Sequence, residues 1–344
     1  MTNVLEDPTP LQLNYVPDEF QNRKDEASSL KTAFSGSEEA PLPNIHVHGP
    51  RGNGKTQVIN SVFKELPKRV TKAYVPCNKY DTQYKALQQI CKAFSQEIGN
   101  GHHTSELQRK VGEQAEVLKT VIILDEIDFL LLNDGDDLLY FLSRLEHSDN
   151  ISIITISSTA ENIESLVEDR TYSSLQPRKI GFEPYNGEEL YQILVERAQK
   201  ALASRSLQRE ALTYIASSTS NLSRALTWLR YAGKNSETKI TEELVREIEA
   251  SAYQEYVNQL LDDFTEHHYL VYEAVYEMSG EGEKSIQTGL IYDKYKQLCQ
   301  STNNEALSNR RISDYIKHLE LLGIIKADYY YGGEKGKTRE IKLD

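Results

Sequence analysis

Short apolar runs alternate with amphipathic stretches along the first half of the chain. Four runs have the composition of buried strands, and they begin near Ile45, Val70, Val121 and Ile151. Helical spacing of apolar residues is found between and after them, at residues 56–66, 82–98, 105–118, 136–147 and 186–204. Because strands that alternate with helices are joined by right-handed crossovers, the pattern predicts an α/β domain with a parallel sheet and helices on both faces.

The strand pattern stops after residue 204. Residues 205–255 contain only helical segments, in whose core we expect Trp228. The remaining chain predicts three helices, the third beginning near Ser308 and ended by Gly323, and then two short strands around a basic, glycine-rich turn. Three helices and a hairpin make up a winged helix, which places its third helix in the major groove of DNA. We therefore predict three domains, at residues 1–182, 183–262 and 263–344.

The loop after the first strand has the pattern GxxxxGKT. Its glycines turn backbone N–H groups toward phosphate, Lys55 supplies a positive charge for the β and γ phosphates, and the Thr56 hydroxyl reaches Mg²⁺. The helix that follows directs its positive N-terminal dipole at the same phosphates. This loop predicts an ATP site, and its candidate residues are Gly49, Pro50, Arg51, Gly52, Asn53, Gly54, Lys55, Thr56 and Gln57.

Two acidic residues end the third strand, in the segment TVIILDEID. Asp125 is expected to hold Mg²⁺ together with Thr56, and Glu126 to orient and deprotonate the water that attacks ATP. The carboxyl ends of parallel strands meet at one edge of a sheet, so the hydroxyl residues at 157–159 are expected beside them. The sequence therefore predicts a Mg²⁺-dependent ATPase.

Charge is distributed unevenly along the chain. The net charge is −13, but residues 265–344 contain 11 Lys plus Arg and 13 Asp plus Glu, so only −2 of it falls there. Because the local distribution of charge decides where nucleic acid binds, the C-terminal segment is favoured as the DNA contact. The candidate DNA-binding residues in the third helix and the turn are Ser308, Asn309, Arg310, Arg311, Lys317, Lys335, Lys337 and Arg339.

Targeting and metal-binding signals are weak in this sequence. It has neither a run of about 18 apolar residues nor a charged and then apolar leader, which predicts neither membrane insertion nor secretion. The three cysteines, Cys77, Cys91 and Cys299, fit neither a CxxC metal pattern nor a disulfide framework. Paired histidines such as His267 and His268 are interpreted as structural. We expect a cytoplasmic protein without a membrane partner.

Several segments, taken in order, resemble the archaeal replication-initiator family, the AAA+ ATPases related to the origin recognition complex and Cdc6. These segments are YVPDEFQNRKDE at 15–26, YDTQY at 80–84, ILDEIDFLL at 123–131, DRTYSSLQP at 169–177, FEPYNGEELYQIL at 182–194 and GGEKGKTREI at 332–341. The resemblance implies an AAA+ P-loop ATPase domain, a helical lid that closes over the nucleotide, and a C-terminal winged-helix domain that binds DNA.

The resemblance also implies roles for individual residues. Arg170 takes the position of an arginine finger, which completes the ATP site of a neighbouring subunit. The first sensor of the family is commonly asparagine, and Ser158 is its match here. The family's second sensor resembles GDARKAL, whereas SNLSRAL places Arg224 one position later, a rotation of about 100° on a helix. The remaining implied ATP contacts are Tyr15, Val16, Pro17, Arg23 and Tyr185.

Together, these features predict an ATP-dependent initiator that binds double-stranded origin DNA, self-associates on it and helps to load the replicative helicase. ATP binding and slow hydrolysis would act as a switch, because both sensors depart from the family pattern. Residues 78–119 are either a second DNA contact or a solvated face. Two alternatives stay open: a signalling P-loop ATPase whose winged helix makes autoinhibitory protein contacts, and a DNA-binding regulator with a decayed ATPase.

Overall fold

A computed structural model describes most of the chain. The described residues are 4–17, 19–20, 22–35, 41–66, 70–94, 101, 103–146, 148–159, 163–280, 285–333 and 336–343. The chain divides into two compact units, Met1–Tyr256 and Val257–Asp344.

A parallel sheet forms the centre of the first unit. Its five strands in the described residues are β1 (Ile45–His48), β2 (Thr71–Pro76), β3 (Thr120–Asp125), β4 (Ile151–Ile156) and β5 (Arg178–Gly181). They lie in the order β2-β3-β4-β1-β5, with Ile45 opposite Ile154 and Ile122 opposite Ile153. Every residue of β3 and β4 is buried, as their unbroken apolar runs predict.

Helices cover both faces of this sheet. The helices up to residue 175 are α1 (Lys24–Phe34), α2 (Lys55–Glu65), α3 (Gln83–Ala93), α4 (Thr104–Val117), α5 (Ile127–Asp134), α6 (Asp137–Ser143), α7 (Ile163–Leu166) and α8 (Asp169–Leu175). Successive residues of β3 point to opposite faces. Ile122 and Leu124 pack in one core with α3 and α4, whereas Val121 and Ile123 pack in another with α1 and α2. The predicted α/β arrangement is thus confirmed.

The rest of the first unit is helical. It contains α9 (Gly187–Ala201), α10 (Arg209–Ser218), α11 (Leu222–Lys234), α12 (Glu242–Glu247) and the start of α13 (Glu249–Leu261). Trp228 lies in the core of these helices, as predicted, and its indole N–H donates to the carbonyl of Val245 at 3.1 Å. The ring of Tyr214 meets the indole edge-on at 5.8 Å. This bundle packs through its own apolar core.

The second unit is a winged helix. It contains α14 (Glu266–Gly280), β6 (Ile286–Gln287), α15 (Thr288–Ser301), α16 (Asn309–Leu321), β7 (Ile325–Gly333) and β8 (Gly336–Leu343). The strands form an antiparallel sheet in the order β6-β8-β7. Ile312, Ile316 and Leu319 bury one face of α16, and Gly323 follows the helix with φ +71°. The three predicted helices and the hairpin are confirmed.

Six elements were missed by the sequence pattern: α1, α5, α7, α8, β5 and β6. Strand β5 has four residues, of which only Ile180 is buried, so neither alternation nor an apolar run marks it. Helix α3 ends at Ala93 and α6 ends at Ser143, so both are shorter than the predicted segments 82–98 and 136–147. The domain boundaries at 182 and 262 stay predictions.

Candidate functional site

The phosphate-binding loop predicted at 49–56 connects β1 to α2, and two of its glycines cannot be replaced without a clash. Gly49 has φ +137°, and a Cβ there would lie 2.1 Å from the carbonyl oxygen of Phe182. Gly52 has φ +78°, and its Cβ would lie 2.0 Å from Oδ1 of Asn221. Glycine meets both demands, a positive φ and close approach. The loop is therefore held tightly between the end of β5 and the start of α11.

Lys55 is folded back into this loop. Its Nζ donates to the carbonyl oxygens of Gly49 at 2.6 Å and Pro50 at 2.8 Å. Burial, together with the positive charge of the neighbouring Arg51, lowers the pKa of Lys55 to about 8. A phosphate in the loop would offer this ammonium group a negatively charged acceptor in place of two neutral carbonyls.

Asp125 receives three hydrogen bonds at the end of β3. The Thr56 hydroxyl donates to Oδ2 at 2.9 Å, the Tyr74 hydroxyl donates to the same oxygen at 2.7 Å, and the backbone N–H of Glu126 donates to Oδ1 at 2.9 Å. Burial raises the pKa of Asp125, as does the charge of Glu126, while the hydrogen bonds oppose the rise.

The residues present fit a Mg²⁺ ion. Thr56 and Asp125 bring a hydroxyl and a carboxylate oxygen within 2.9 Å of each other beside the phosphate loop. Mg²⁺ is bound by few protein oxygens and completes its octahedron with water and phosphate oxygens. A cation would also stabilise the charged form of a carboxylate whose burial disfavours that form. Thr56 and Asp125 are therefore a suitable pair of ligands, and their binding of Mg²⁺ stays a prediction.

Glu126 begins the turn that follows β3, and its backbone is left-handed, with φ +53°. A non-glycine residue with positive φ is uncommon and indicates a functional constraint when the surroundings enforce it. Its carboxylate forms an ion pair with the guanidinium of Arg51, which lies in the phosphate loop. The predicted water-activating residue is thus paired in this structure with another residue of the same site.

Asp128 organises the end of β4, a role that the sequence analysis missed. Its Oδ1 accepts the Ser157 hydroxyl at 2.7 Å and its Oδ2 accepts the backbone N–H of Ser158 at 2.8 Å. Ser157 also lies 2.9 Å from the hydroxyl of Thr159. The signal was a third acid in the segment DEID, three residues after Asp125. Asp128 thereby fixes the backbone that positions Ser158, the predicted first sensor.

A cavity beside the loop brings together most of the ATP contacts that the family resemblance implies outside the loop. Its lining joins the N-terminal segment to the loop and to the first turn and a half of α11, and it includes Tyr15, Pro17, Arg23, Gly52, Gly54, Gln57, Tyr185, Leu222, Ser223 and Leu226. Val16 stands between two of these residues in the chain. Gln57 donates to the carbonyl of Leu13 at 2.9 Å and so ties the N-terminal segment to α2. The cavity has the position expected for a base next to a phosphate loop.

Arg23 connects three parts of this cavity wall. Its guanidinium donates to the carbonyls of Asn53 at 3.3 Å and Glu183 at 2.6 Å, and to the carboxylate of Glu26 at 2.8 Å. Its Cζ also lies 4.1 Å from the centre of the Tyr185 ring. The Tyr185 hydroxyl would be 3.2 Å from a Cβ at Gly54. Arg23 therefore supports the loop, rather than presenting an unengaged cation to it.

Arg224 is directed away from the cavity. Its guanidinium lies 3.8 Å from Glu249 and 4.7 Å from the centre of the Tyr253 ring. Leu222 and Ser223 of the same helix line the cavity instead. The different helical face expected from the one-residue shift is thus observed, and the predicted contact between Arg224 and ATP requires movement of its side chain.

Arg170 is on the surface, in the first turn of α8. Its Nε is 2.6 Å from Glu168, its Nη2 is 3.8 Å from Asp137, and its side chain is 54% exposed. Exposed ion pairs contribute little and exchange readily for a better acceptor. The geometry leaves Arg170 accessible to a second subunit.

In the stretch 78–119, which is either a second DNA contact or a solvated face, Lys85 and Arg109 are also exposed. Each is paired with an acidic residue four positions away in the chain.

In the winged helix, four of the residues predicted to contact DNA lie together. Ser308 is the N-cap of α16, and Ser308, Asn309, Arg310 and Arg311 are all exposed. The first turn of α16 contains no acidic residue, so its two arginines add to the positive end of the helix dipole. This turn is a positively charged, accessible surface.

Two other predicted DNA contacts are paired with acidic residues. Lys317 pairs with Asp314 at 3.0 Å, and Arg339 pairs with Glu320 at 2.6 Å. Lys335 and the side chain of Lys337 lie outside the described residues.

No helix in the described part of the chain is long and apolar enough to cross a membrane.

Comparison with known proteins identifies the family. A model of the CDC6 C-terminal winged-helix domain matches residues 259–344, and a model of the AAA domain matches residues 43–162. An ORC1-type DNA replication protein of Thermococcus onnurineus is 32% identical over 360 residues, covering 97% of this chain and 86% of the relative. This chain belongs to the ORC1-type DNA replication proteins.

Other relatives and solved structures agree with this assignment. ORC1-type DNA replication protein 1 of Sulfurisphaera tokodaii is 32% identical over 349 residues, covering 96% of this chain and 87% of that protein. The structure of Aeropyrum pernix ORC1, solved in complex with DNA, superposes with a TM-score of 0.78 at 28% identity and covers 100% of this chain and 94% of its own. The resemblance to the replication-initiator family and the fold of an AAA+ domain with a C-terminal winged helix are both confirmed.

Proposed function

We propose that this ORC1-type protein is a nucleotide-dependent replication initiator that binds duplex origin DNA through its winged helix. The observation that carries the proposal is the first turn of α16, where Arg310 and Arg311 are exposed on a helix whose N-terminus has no acidic residue. In a winged helix this helix enters the major groove, where arginine contacts guanine and phosphate. The similar Aeropyrum pernix ORC1 was solved with DNA, which supports the same use of the fold here.

The proposed ATPase chemistry uses the residues at the edge of the sheet. Lys55 and the loop N–H groups would bind the phosphates, and Thr56 and Asp125 would hold Mg²⁺, which neutralises charge on the β and γ phosphates. Glu126 would accept a proton from the water whose oxygen bonds to the γ-phosphorus, while the bond to ADP breaks. The AAA domain, the loop geometry and the pairing of Thr56 with Asp125 support this proposal.

Slow hydrolysis is part of the proposal. Ser158 replaces the longer asparagine of the family, Arg224 is engaged by Glu249, and Glu126 is engaged by Arg51. Three groups that would act on the γ-phosphate or its water are thus short or paired elsewhere. ATP would then act as a switch with two long-lived states, bound ATP and bound ADP.

The partners beyond DNA are also proposals. The accessible guanidinium of Arg170 supports self-association on DNA, in which it would reach the ATP of the adjacent subunit. Loading of the replicative helicase would follow from such an assembly. The signalling-switch alternative has lost its support, since the chain belongs to a family of DNA replication proteins.

Equilibrium binding to duplex DNA tests the proposal. Fragments that flank the gene for this protein would be titrated at several salt concentrations with ATP and Mg²⁺, for wild type, Arg310→Ala, Arg311→Ala and the control Arg246→Ala, an exposed arginine of α12. We expect each α16 variant to bind DNA more weakly and to lower the slope of log K against log salt concentration by the equivalent of about one phosphate contact. The control should leave this slope unchanged. Equal binding by all four proteins would exclude α16 as the DNA-binding element.

A further inference from the structure

Arg51 occupies an unusual place in the ATP site. It is the third residue of the phosphate loop, and its Nη1 donates to Oε1 of Glu126. Both partners are mostly buried, with side-chain exposures of 17% and 22%. An ion pair removed from water is strong only if the remaining donors also find acceptors.

The other donors of Arg51 have no acceptor. Among the described residues, its Nε and Nη2 are buried and lack a hydrogen-bond partner. Buried guanidinium donors that stay unpaired are costly, and in a native site they indicate an absent anion or water. Arg51 also adds to the positive charge around the Lys55 ammonium, since it lowers the pKa of that group. Two adjacent cations in a phosphate loop are suited to a highly charged phosphate.

Glu126 is affected by the same pair. A guanidinium that donates to a carboxylate occupies one of its oxygens and fixes its orientation. The left-handed backbone of Glu126, with φ +53°, is held by the hydrogen bond of its N–H to Oδ1 of Asp125 at 2.9 Å. The side chain can therefore change partner without a rearrangement of the end of β3.

We propose that Arg51 is a γ-phosphate sensor in the same subunit: without nucleotide it restrains Glu126, and with ATP bound it exchanges that carboxylate for the terminal phosphate. ADP lacks this phosphate and leaves the ion pair intact. Glu126 is then released to the attacking water only when ATP is present. This inference rests on the proposed ATPase function, and it assigns to Arg51 a positioning role in addition to phosphate binding.

A double-mutant cycle tests the exchange. Dissociation constants would be measured by titration calorimetry for Mg²⁺–ADP and for the non-hydrolysable imido analogue of ATP. The proteins would be wild type, Arg51→Met, Glu126→Gln, the double variant, and the control Arg109→Met. We expect Arg51→Met to weaken analogue binding about tenfold, the loss of one charge-assisted hydrogen bond, and to leave ADP binding within about twofold.

The Glu126→Gln arm shows whether the two residues compete. Glu126→Gln removes the carboxylate that competes with the terminal phosphate for Arg51, so it should strengthen binding of the analogue when Arg51 is present. In the Arg51→Met background there is no guanidinium to compete for, so the same substitution should strengthen binding much less. An equal effect of Glu126→Gln in both backgrounds, or an equal effect of Arg51→Met on both nucleotides, would overturn the sensor. Wild-type protein that binds neither nucleotide would overturn the proposed ATPase itself, so the two failures are distinguishable.

Discussion

Replacement of Gly49 by alanine tests the geometry of the phosphate loop most sharply. A Cβ at this position would lie 2.1 Å from the carbonyl oxygen of Phe182, and φ is +137°. The Phe182 backbone cannot retreat freely, because its N–H donates to the carbonyl of His48 at 2.8 Å. The backbone conformation costs alanine about 1–3 kcal/mol. The overlap adds about 1–3 kcal/mol. We expect a loss of about 2–6 kcal/mol, which is a large part of the stability of a domain.

Two other glycines of the same unit supply matched controls. Gly135 has φ +73° and ψ −158°, a backbone region that is essentially restricted to glycine, but nothing in the described structure lies within 4 Å of its Cβ position. Gly135→Ala should therefore carry the backbone cost alone, about 1–3 kcal/mol. Gly112 lies within α4, where its Cβ would be 3.6 Å from Leu145, an ordinary contact. Gly112→Ala should therefore stabilise by up to about 1 kcal/mol through helix propensity.

The assay is urea unfolding followed by the fluorescence of Trp228, the single tryptophan of the chain, which is buried in the same unit. Midpoints should increase in the order Gly49→Ala, Gly135→Ala, wild type, Gly112→Ala, with slopes unchanged. The reasoning would be refuted if Gly49→Ala unfolded at the same urea concentration as Gly112→Ala. That result would show that the loop has room for a side chain beside Phe182.

Three further predictions concern charged and titratable groups. The pKa of Lys55 is lowered to about 8 in the folded protein, so the unfolded chain binds more protons than the folded protein between pH 8 and 10.5. In thermal unfolding, the nucleotide-free protein should therefore become more stable as the pH rises across that window, and the Lys55→Met variant should not. Burial lowers the pKa of His268 to about 3, with the neighbouring His318 acting in the same direction, so the winged helix should lose stability as pH falls from 6.5 toward 3. His268→Gln should retain more protection of α16 in acid, measured by hydrogen exchange against wild type at each pH. Arg170→Ala should abolish most multiple-turnover hydrolysis without changing ATP affinity, and addition of Lys55→Met subunits, which supply Arg170, should restore it if that residue acts in trans.

The sequence predicted the elements that have a strong pattern. Strands β3 and β4 are unbroken apolar runs buried on both faces, and the phosphate loop has the spacing that binds phosphate. The winged helix followed from the amphipathic α16 and the glycine-rich turn. Strand β5 was missed because it buries one residue, and its place in the sheet is set by pairing with β1.

Pairings between distant side chains could not be predicted. The contact of Arg51 with Glu126 joins residues 75 positions apart, and the approach of Asn221 to Gly52 joins the loop to α11. Such contacts depend on the tertiary packing of the sheet edge against the helices, which no local period encodes. The rotation of Arg224 away from the cavity was the exception, because a one-residue shift in a helix has a fixed angular consequence.

The central claim is that this ORC1-type protein reads origin DNA through α16 in a nucleotide-dependent way. The most direct measurement is nuclease protection of the DNA that flanks its own gene, with ATP and Mg²⁺, with ADP and Mg²⁺, and without nucleotide. We expect a discrete protected site whose occupancy depends on the nucleotide and which is lost in Arg311→Ala. Protection without a preferred site, equal in Arg311→Ala and in all three nucleotide conditions, would contradict it.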